Sequence, residues 1–548
     1  MPSKRAATLY YNANIYPMAG DLPETAEAFV VSHGQIQAIG SVEDLENRFS
    51  IRRRVNLEGK TVLPGLIDAH SHFSFQAIAD ALFVGLHSAP TGNVASIEDI
   101  TRLLREHDRQ QNLWAVIGHG FDDTKINEYR FPTRDELDTV SMEKPVVVIH
   151  QSFHLMSLNS KALELSGLTD DFIVPEGGVA YRDDTGRFTG VLEEGPVINL
   201  VNRKVIQPLV AKNNLLRIIQ KCSSLYLSQG YTTANEGAAV KMQQSLFSMA
   251  SLLGKLKTKL VVNPGLLSDD ALPITAEKQG TFCDLGRRVV VGPVKLFTDG
   301  SIQGYTAYLR QPYYKQHKTR AKSDDYRGYL TVAPDDYMNT VERLHRENLQ
   351  YAVHANGDAA IQLVIDAEHK YQKNKDLHNI IIHCQTVGID QLEQIRSLGM
   401  IPSFFPIHTY IWGKHHRNTF LGEERAARMN PIATSQKMNI PCTIHSDSPV
   451  TAVDPWLLLW SAVTRLDEDV ALLGPNERAS AYDGLLALTR NAAAQYRLSD
   501  RGTLEAGKRA DFIVLDQNPI SIDESSIKDI RVLQTYVDGK LVISKSSF

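Results

Sequence analysis

Residues 63–73 read LPGLIDAHSHF, an apolar run that ends in two histidines one residue apart. Side chains at i and i+2 of a strand point to the same face. His70 and His72 therefore converge on one point if the strand carries on through them. Taken alone, the pair reads equally well as two polar residues that close a strand and hydrogen-bond to a loop. The rest of the chain has to decide between these readings.

Downstream, short apolar segments recur, each followed by an amphipathic helical stretch. With VLPGLIDAHSH (62–72) as the first, they are GYTTANEG (230–237), KLVVNPG (259–265), GPVKLFTDGS (292–301) and LQYAVHANGD (349–358). NIIIHCQT (379–386), MIPSFFPIH (400–408) and IPCTIHSDSPV (440–450) complete the set. Strands alternating with helices predict parallel β/α units, and eight is the number that closes a (β/α)8 TIM barrel. The expected fold class is α/β, with this barrel over residues 63–499. The gap from about 85 to 225 is too long for one crossover helix. It carries strand-like pieces of its own, LWAVIGHGFDD, KPVVVIHQSF and GGVAYRDDTGRFTGVL, and is read as a large insertion near the barrel mouth. Both ends of the chain are β-rich: ATLYYNANIY, AFVVSHGQIQAIG and RRVNLEGKTVLP at the start, ADFIVLD and VLQTYVDGKLVIS at the finish. The Asp-Gly of the last segment predicts a hairpin. Residues 1–62 and 500–548 are expected to form one composite β domain.

The chain has 548 residues, for which a prior of roughly 150 residues per domain gives three or four domains, although barrels with insertions run beyond ~400 residues as one unit. Composition is that of an ordinary globular protein: 43% hydrophobic, 22% charged, mean hydropathy −0.22. A net charge of −5 from 58 basic and 63 acidic residues, without long blocks, argues against a nucleic-acid partner. No window approaches the ~18 consecutive apolar residues of a membrane span, and the basic start MPSKRAATLYYNANIYPMAG has no signal-type apolar core. Cys222, Cys283, Cys384 and Cys442 are scattered and form no C-x-x-C pair, which excludes a disulfide scaffold and fits a reducing compartment. The expected location is the cytoplasm.

Several expected strands end in a residue able to bind a metal. The first supplies His70 and His72, the fourth Lys295 and Asp299, the fifth His354 and Asp358. The sixth supplies His383, the seventh His408, the eighth His445 and Asp447. A TIM barrel carries its active site at the C-terminal ends of the strands, so all of these would crowd one rim. Each histidine singly reads as a structural residue; the joint pattern does not. Imidazole and carboxylate without cysteine suit Zn²⁺, Mn²⁺, Fe²⁺ or Ni²⁺ and disfavour a thiolate zinc site.

LPGLIDAHSH, VKLFTDGS, VHANGD, IIIHCQ and HSDSPV resemble, in order and spacing, the motifs of the metal-dependent amidohydrolase superfamily. The resemblance is in particular to its YtcJ-like branch, that of N-substituted formamide deformylase. It covers almost the whole chain. GHGFDD (118–123), HLMSLNSKAL (154–163) and GRFTGVLEE (186–194) look like the insertion motifs of that branch. GTLEAGKRADFIVLD (502–516) looks like the return into a composite β-sandwich. The resemblance implies that His70, His72, His354, His383 and Asp447 are metal ligands. It also implies that Lys295 is carboxylated and bridges two divalent ions, with Zn²⁺ the expected metal. A free lysine titrates near ~10.4; burial beside cations lowers that value, and a neutral amine can take up CO₂ to become an anionic ligand. A plain lysine paired with Asp299 or Asp447 is the alternative. Asp447 is expected to double as general base and acid, taking a proton from a metal-activated water and passing it to the leaving amine. Its alternative is a helix cap.

The sequence departs from the family pattern at three places. Ile382 stands where many relatives have Glu, Gly-Phe-Asp (120–122) where Gly-Trp-Asp is frequent, and Phe405-Pro406 where Gln-Pro is. The metal set is untouched, but the pocket wall changes, so no relative's substrate transfers directly. Asp122, Lys125, His154, His408 and Trp412 are the candidate substrate contacts, each against a packing or surface role. His415 and His416, in GKHHRN, read as a solvated loop. The expected activity is hydrolysis of an amide-type C–N bond (N-acyl, N-formyl or cyclic) in a small molecule. A deaminase, an ester or lactone hydrolase, and a non-catalytic metal-binding barrel are the competing readings. Lys295 argues against the deaminase, because deaminases of the superfamily usually manage with one metal and lack this lysine. A homodimer is expected from the resemblance alone.

Overall fold

The run that opens at residue 63 divides between two sheets. Thr61–Pro64 pairs antiparallel with Phe512–Leu515, whereas Leu66–Ile67 pairs parallel with Tyr231–Ala239. Gly65 stands at the crossing, where an added Cβ would lie 2.3 Å from the Thr232 side chain. Only a residue without a side chain lets the two backbones pass. The structure is a computed structural model that describes residues 6–265, 274–317 and 323–545; residues 1–5 and 546–548 of the expected terminal domain lie outside the described residues.

Strands from both ends of the chain form one eight-stranded sheet. Its order is Lys540–Ser544, Val532–Val537, Phe512–Leu515, Thr61–Pro64, Ala6–Ile15, Ala26–Ser32, Gln35–Gly40, with Ser50–Asn56 also pairing to Ala6–Ile15. The expected hairpin is present. Asp538 and Gly539 turn it at φ 51° and 71°, the positive-φ pair that matches strand twist. Tyr10, Phe29, Phe512 and Tyr536 stack in its core, with ring centroids of Phe512 and Tyr536 4.2 Å apart.

The central strands are short, and most are wholly buried, as parallel strands covered on both faces should be. They lie in two all-parallel sheets. One has the order Val289–Val291, Lys259–Pro264, Tyr231–Ala239, Leu66–Ile67. The other runs Val294–Phe297, Tyr351–Ala355, Ile380–His383, Ile401–Phe404, Thr443–Ile444. All eight expected segments contain one of these strands, and Val289–Val291 is an addition that periodicity did not single out. The sheets meet at a parallel bridge between Gly265 and Lys295. At their other edges the Asp447 N–H donates to the His70 carbonyl at 3.1 Å, and the His72 N–H to that of Ser448 at 2.7 Å.

Between Leu66–Ile67 and Tyr231–Ala239 lies a third, six-stranded sheet. Its order is Val179–Arg182, Phe188–Glu193, Leu155–Leu158, Val146–His150, Val116–Phe121, Val84–Gly85. The expected solvated loop at GKHHRN is instead helical: Ile407–His415 is α-helix and His416–Phe420 a π turn. His416 is fully buried, its Nε2 3.2 Å from Gln385 Nε2. The polar composition of the stretch hid an inward face. Among the described residues, no helix is long and apolar enough to cross a membrane.

Candidate metal centre and its cavity

The first strand stops at Ile67, before either histidine. His70 lies in a bend, its N–H held by Asp68 Oδ1 at 3.3 Å. Ser71 Oγ donates to the Asn235 carbonyl at 3.0 Å, and His72 precedes the helix Phe73–Leu82. This bend, rather than a continuing pleat, brings the two imidazoles together with centroids 5.1 Å apart. Gly237 forms the floor beneath them: a Cβ there would lie 2.4 Å from His70 Cε1 and 3.0 Å from His72 Cε1.

Asp447 closes the group. Its Oδ1 is 3.5 Å from Nε2 of both His70 and His72, and its Oδ2 is 3.7 Å from His383 Nε2. The candidate ligand atoms of His70, His72 and Asp447 all lie within 4.8 Å of one another. Lys295 Nζ is 3.4 Å from His70 Nε2. His354 belongs to the same cluster through its ring, 4.6 Å from that of His383. However, its Nε2 sits 3.1 Å from the Gly300 carbonyl, so the nitrogen left to face a ligand is Nδ1. His383 is held differently. Its Nδ1 lies 3.2 Å from His445 Nε2, and His445 Nδ1 lies 3.0 Å from Ser403 Oγ. A proton on His383 Nδ1, passed along that chain as a donor, leaves its Nε2 lone pair aimed at the site.

Burial drives the imidazoles of His70, His354 and His383 well below their ordinary range, with the neighbouring Lys295 and imidazole groups adding to it. Burial and Lys295 push His72 down to about 3. The rings are thus neutral at physiological pH, the form that binds a metal. Burial also pushes the Lys295 ammonium down against the pull of Asp447, and the Asp447 carboxyl up against the pull of Lys295. Asp447 Oδ1 is buried with no hydrogen-bond partner, which is costly unless something else binds it. Neutral imidazoles, an orphaned carboxylate oxygen and a lysine biased toward the free amine fit a divalent cation of the Zn²⁺, Mn²⁺, Fe²⁺ or Ni²⁺ type.

The cluster opens into a cavity of about 830 Å³, lined both by the parallel strands and by the third sheet and its loops. His154 and His408, expected as substrate contacts, line it. Asp122, Lys125 and Trp412 are not among the lining residues; their polar atoms are used elsewhere. Trp412 Nε1 donates to Asp122 Oδ2 at 2.7 Å, and Asp122 Oδ1 accepts from the Thr124 N–H at 2.9 Å. Lys125 Nζ pairs with Glu468 at 2.6 Å and donates to the carbonyls of Ala89 and Ile411. These three tie the third sheet to the helix Ile407–His415. Asp299 lines the cavity too, accepting backbone N–H groups of Asn356, Gly357 and Tyr308 at 2.8–3.0 Å. Burial nevertheless pushes its carboxyl up to about 7. Asp358 instead accepts the Arg310 N–H at 2.8 Å, at the start of the helix Asp358–Tyr371.

Glu194 was not singled out from the sequence. Its Oε2 lies 3.0 Å from His154 Nδ1 and orients that ring against His354, centroids 5.4 Å apart. It sits at φ 69°, a conformation that costs a non-glycine residue about 1–3 kcal/mol and that accumulates at functional sites. The Glu-Glu closing GRFTGVLEE carried no periodic signal that separates it from a surface pair. His445 did carry one, since it precedes Asp447 by two residues as His70 precedes His72.

A family model described as "Amidohydrolase family" matches residues 53–543. The chain is 28% identical over 539 residues to N-substituted formamide deformylase of Arthrobacter pascens, covering 94% of each chain. It is 25% identical over 554 residues to the YtcJ amidohydrolase of Bacillus subtilis strain 168, covering 98% of this chain and 99% of that one. The fold is similar to the crystal structure of an uncharacterized metal-dependent hydrolase from Pyrococcus horikoshii OT3. There the TM-score is 0.71 at 25% identity, with 95% of this chain and 99% of that chain covered.

Proposed function

Since the chain belongs to the amidohydrolase family, we propose that it is a metal-dependent hydrolase cleaving an amide-type C–N bond in a small molecule. The observation that carries this reading is the convergence of His70, His72 and Asp447 within 4.8 Å in the lining of the cavity. The two parallel sheets are read as one (β/α)8 barrel closed at the Gly265–Lys295 and His70–Asp447 seams. The terminal sheet is read as a composite β-sandwich and residues 85–225 as an insertion over the barrel mouth.

His70, His72, His354, His383, Asp447 and a carboxylated Lys295 would hold two divalent ions, Zn²⁺ in this reading. Such ions supply an acidified water and a Lewis acid for the scissile carbonyl. Asp447 is the proton carrier. Its carboxylate takes a proton from the attacking water and returns it to the departing nitrogen. His445 and Ser403 keep His383 in the tautomer the site needs. Lys295, buried and biased toward its neutral amine, can add CO₂ at Nζ with loss of one proton and become a two-oxygen ligand. His154, oriented by Glu194, and His408 are the proposed substrate contacts.

The deformylase of Arthrobacter pascens acts, by its name, on N-substituted formamides. N-formyl and N-acyl amines are accordingly the first substrates to try. Metal analysis of protein purified without chelator, joined to a panel of N-formyl, N-acyl and cyclic amides, tests the reading. About two divalent ions per chain and carboxylate release are expected. Protein with no stoichiometric metal sinks the reading, and ammonia release from aminopurines or aminopyrimidines without carboxylate formation would replace it with deamination.

A further inference from the structure

The cavity that holds His70 and Asp447 is lined also by Phe153, Ile198, Leu296, Phe297 and Val332, and by Tyr337, Thr340 and Arg343 of the helix Pro334–Arg346. Those three residues are spaced i, i+3, i+6. At ~1.5 Å per residue they mark a row about 9 Å long on one side of the helix. The lining joins these apolar side chains to charged ones, among them Glu194, Asp299 and Asp447.

Arg343, with Lys295 one of the two lysine or arginine side chains of that lining, is exposed, and among the described residues no carboxylate pairs with it. Of the acids that line the cavity, Glu194 Oε2 meets His154, Asp299 accepts three backbone N–H groups and Asp447 lies in the histidine cluster; none of them pairs with Arg343. Arg343 shares the last turn of the helix with a second arginine, Arg346, so it is not alone in complementing the helix dipole. An unpaired guanidinium in the lining of a cavity is a receptor for a carboxylate, which it can bind with two parallel hydrogen bonds.

We propose that Arg343 anchors an anionic terminus of the substrate, so that the preferred substrates are amides with an apolar body and a carboxylate at the end remote from the scissile bond. This rests on the hydrolase reading for the position of that bond. The test compares mono-anilides of dicarboxylic acids, from succinyl to suberoyl, with methyl-terminated anilides of equal chain length. At the length that lets the carboxylate reach Arg343 from the cluster, the acid is expected to be preferred by about 10- to 100-fold in kcat/KM, mostly through KM. Arg343→Ala should erase that preference, and Arg343→Lys should retain part of it. A second arm needs no turnover: binding of ω-phenoxyalkanoates, which have no amide, to metal-loaded wild type and Arg343→Ala by calorimetry. About tenfold weaker binding to the variant sustains the anchor even if no anilide is cleaved, in which case the hydrolase reading alone fails. Equal affinity for wild type and variant, or a preference for acids that survives Arg343→Ala, overturns it.

Discussion

At Asp447 one side chain meets two demands, ligand and proton carrier. Its Oδ1 lies between His70 and His72 without a hydrogen-bond partner, and its Oδ2 faces His383. Asp447→Asn keeps the shape and removes the basicity. Its kcat is expected to fall by about 10²- to 10⁴-fold, the usual worth of a positioned acid–base group, with KM changing far less in steady-state assays. Lys295 makes a different prediction. Burial disfavours its ammonium, and the carboxylated form would bridge two ions, so Lys295→Ala should lose at least one ion per chain by elemental analysis. Retention of both would remove the bridging role. His72 shows how legible such residues were. Its identity and spacing to His70 were plain in the sequence, but the reason the rings converge was not. A pleated strand was expected, and a bend held by Asp68 and Asn235 does the work.

Among elements, the helix Ile407–His415 is the clearest case of a role that residue types did not reveal. Its Trp412 is fully buried and donates to the buried Asp122 on the third sheet's side, and Lys125 reaches from that side to the Ile411 carbonyl and Glu468. A tryptophan and an acid near a metal site read as substrate contacts in a sequence, because that reading cannot see which polar atoms are already satisfied. Here they brace the third sheet against the helix. Trp412→Phe leaves Asp122 Oδ2 buried without its donor, which should lower stability by about 1.5–3 kcal/mol. Chemical denaturation measures that loss, and kcat/KM at a temperature well below unfolding should stay near wild type. A change in activity with unchanged stability would return Trp412 to the cavity. His150, close to Asp122 and Asp123 at 3.9 and 3.4 Å, belongs to the same brace. Burial opposes its protonation, but the two carboxylates outweigh burial and raise its affinity for a proton.

At the scale of the molecule, the terminal sheet is fastened to the central strands by buried charge. Lys259, at the start of Lys259–Pro264, reaches Asp511 at 2.9 Å and Asp538 at 3.1 Å, and Asp538 also meets Arg288 and Arg509. Burial alone would push the Asp538 carboxyl up, but Lys259, Arg288 and Arg509 outweigh it and hold the group below the usual carboxylate range. A carboxyl whose folded value is depressed stabilises the fold above its unfolded value, near ~3.9, and loses that contribution as pH falls through the folded value. Thermal-unfolding midpoints should therefore drop more steeply below about pH 4 in wild type than in Asp538→Asn, which is less stable at neutral pH but lacks this titration. Parallel curves for the two proteins would show that the seam between sheets is not held by this charge.

The sequence by itself determined the α/β class, the eight central segments, the terminal hairpin and the residue types that surround the cluster. Those features are local: burial on both faces demands continuous apolar runs, and Asp-Gly accepts the positive φ a tight hairpin needs. Only the tertiary structure decided the rest. Whether Asp122 and Trp412 face a ligand or each other, whether GKHHRN meets water, and that Glu194 and Arg343 share a cavity with His70 all depend on contacts between residues tens to hundreds of positions apart. Periodicity is silent about those contacts because hydrogen-bond partnership and exclusion of water are properties of the packed neighbourhood, and no single segment carries them.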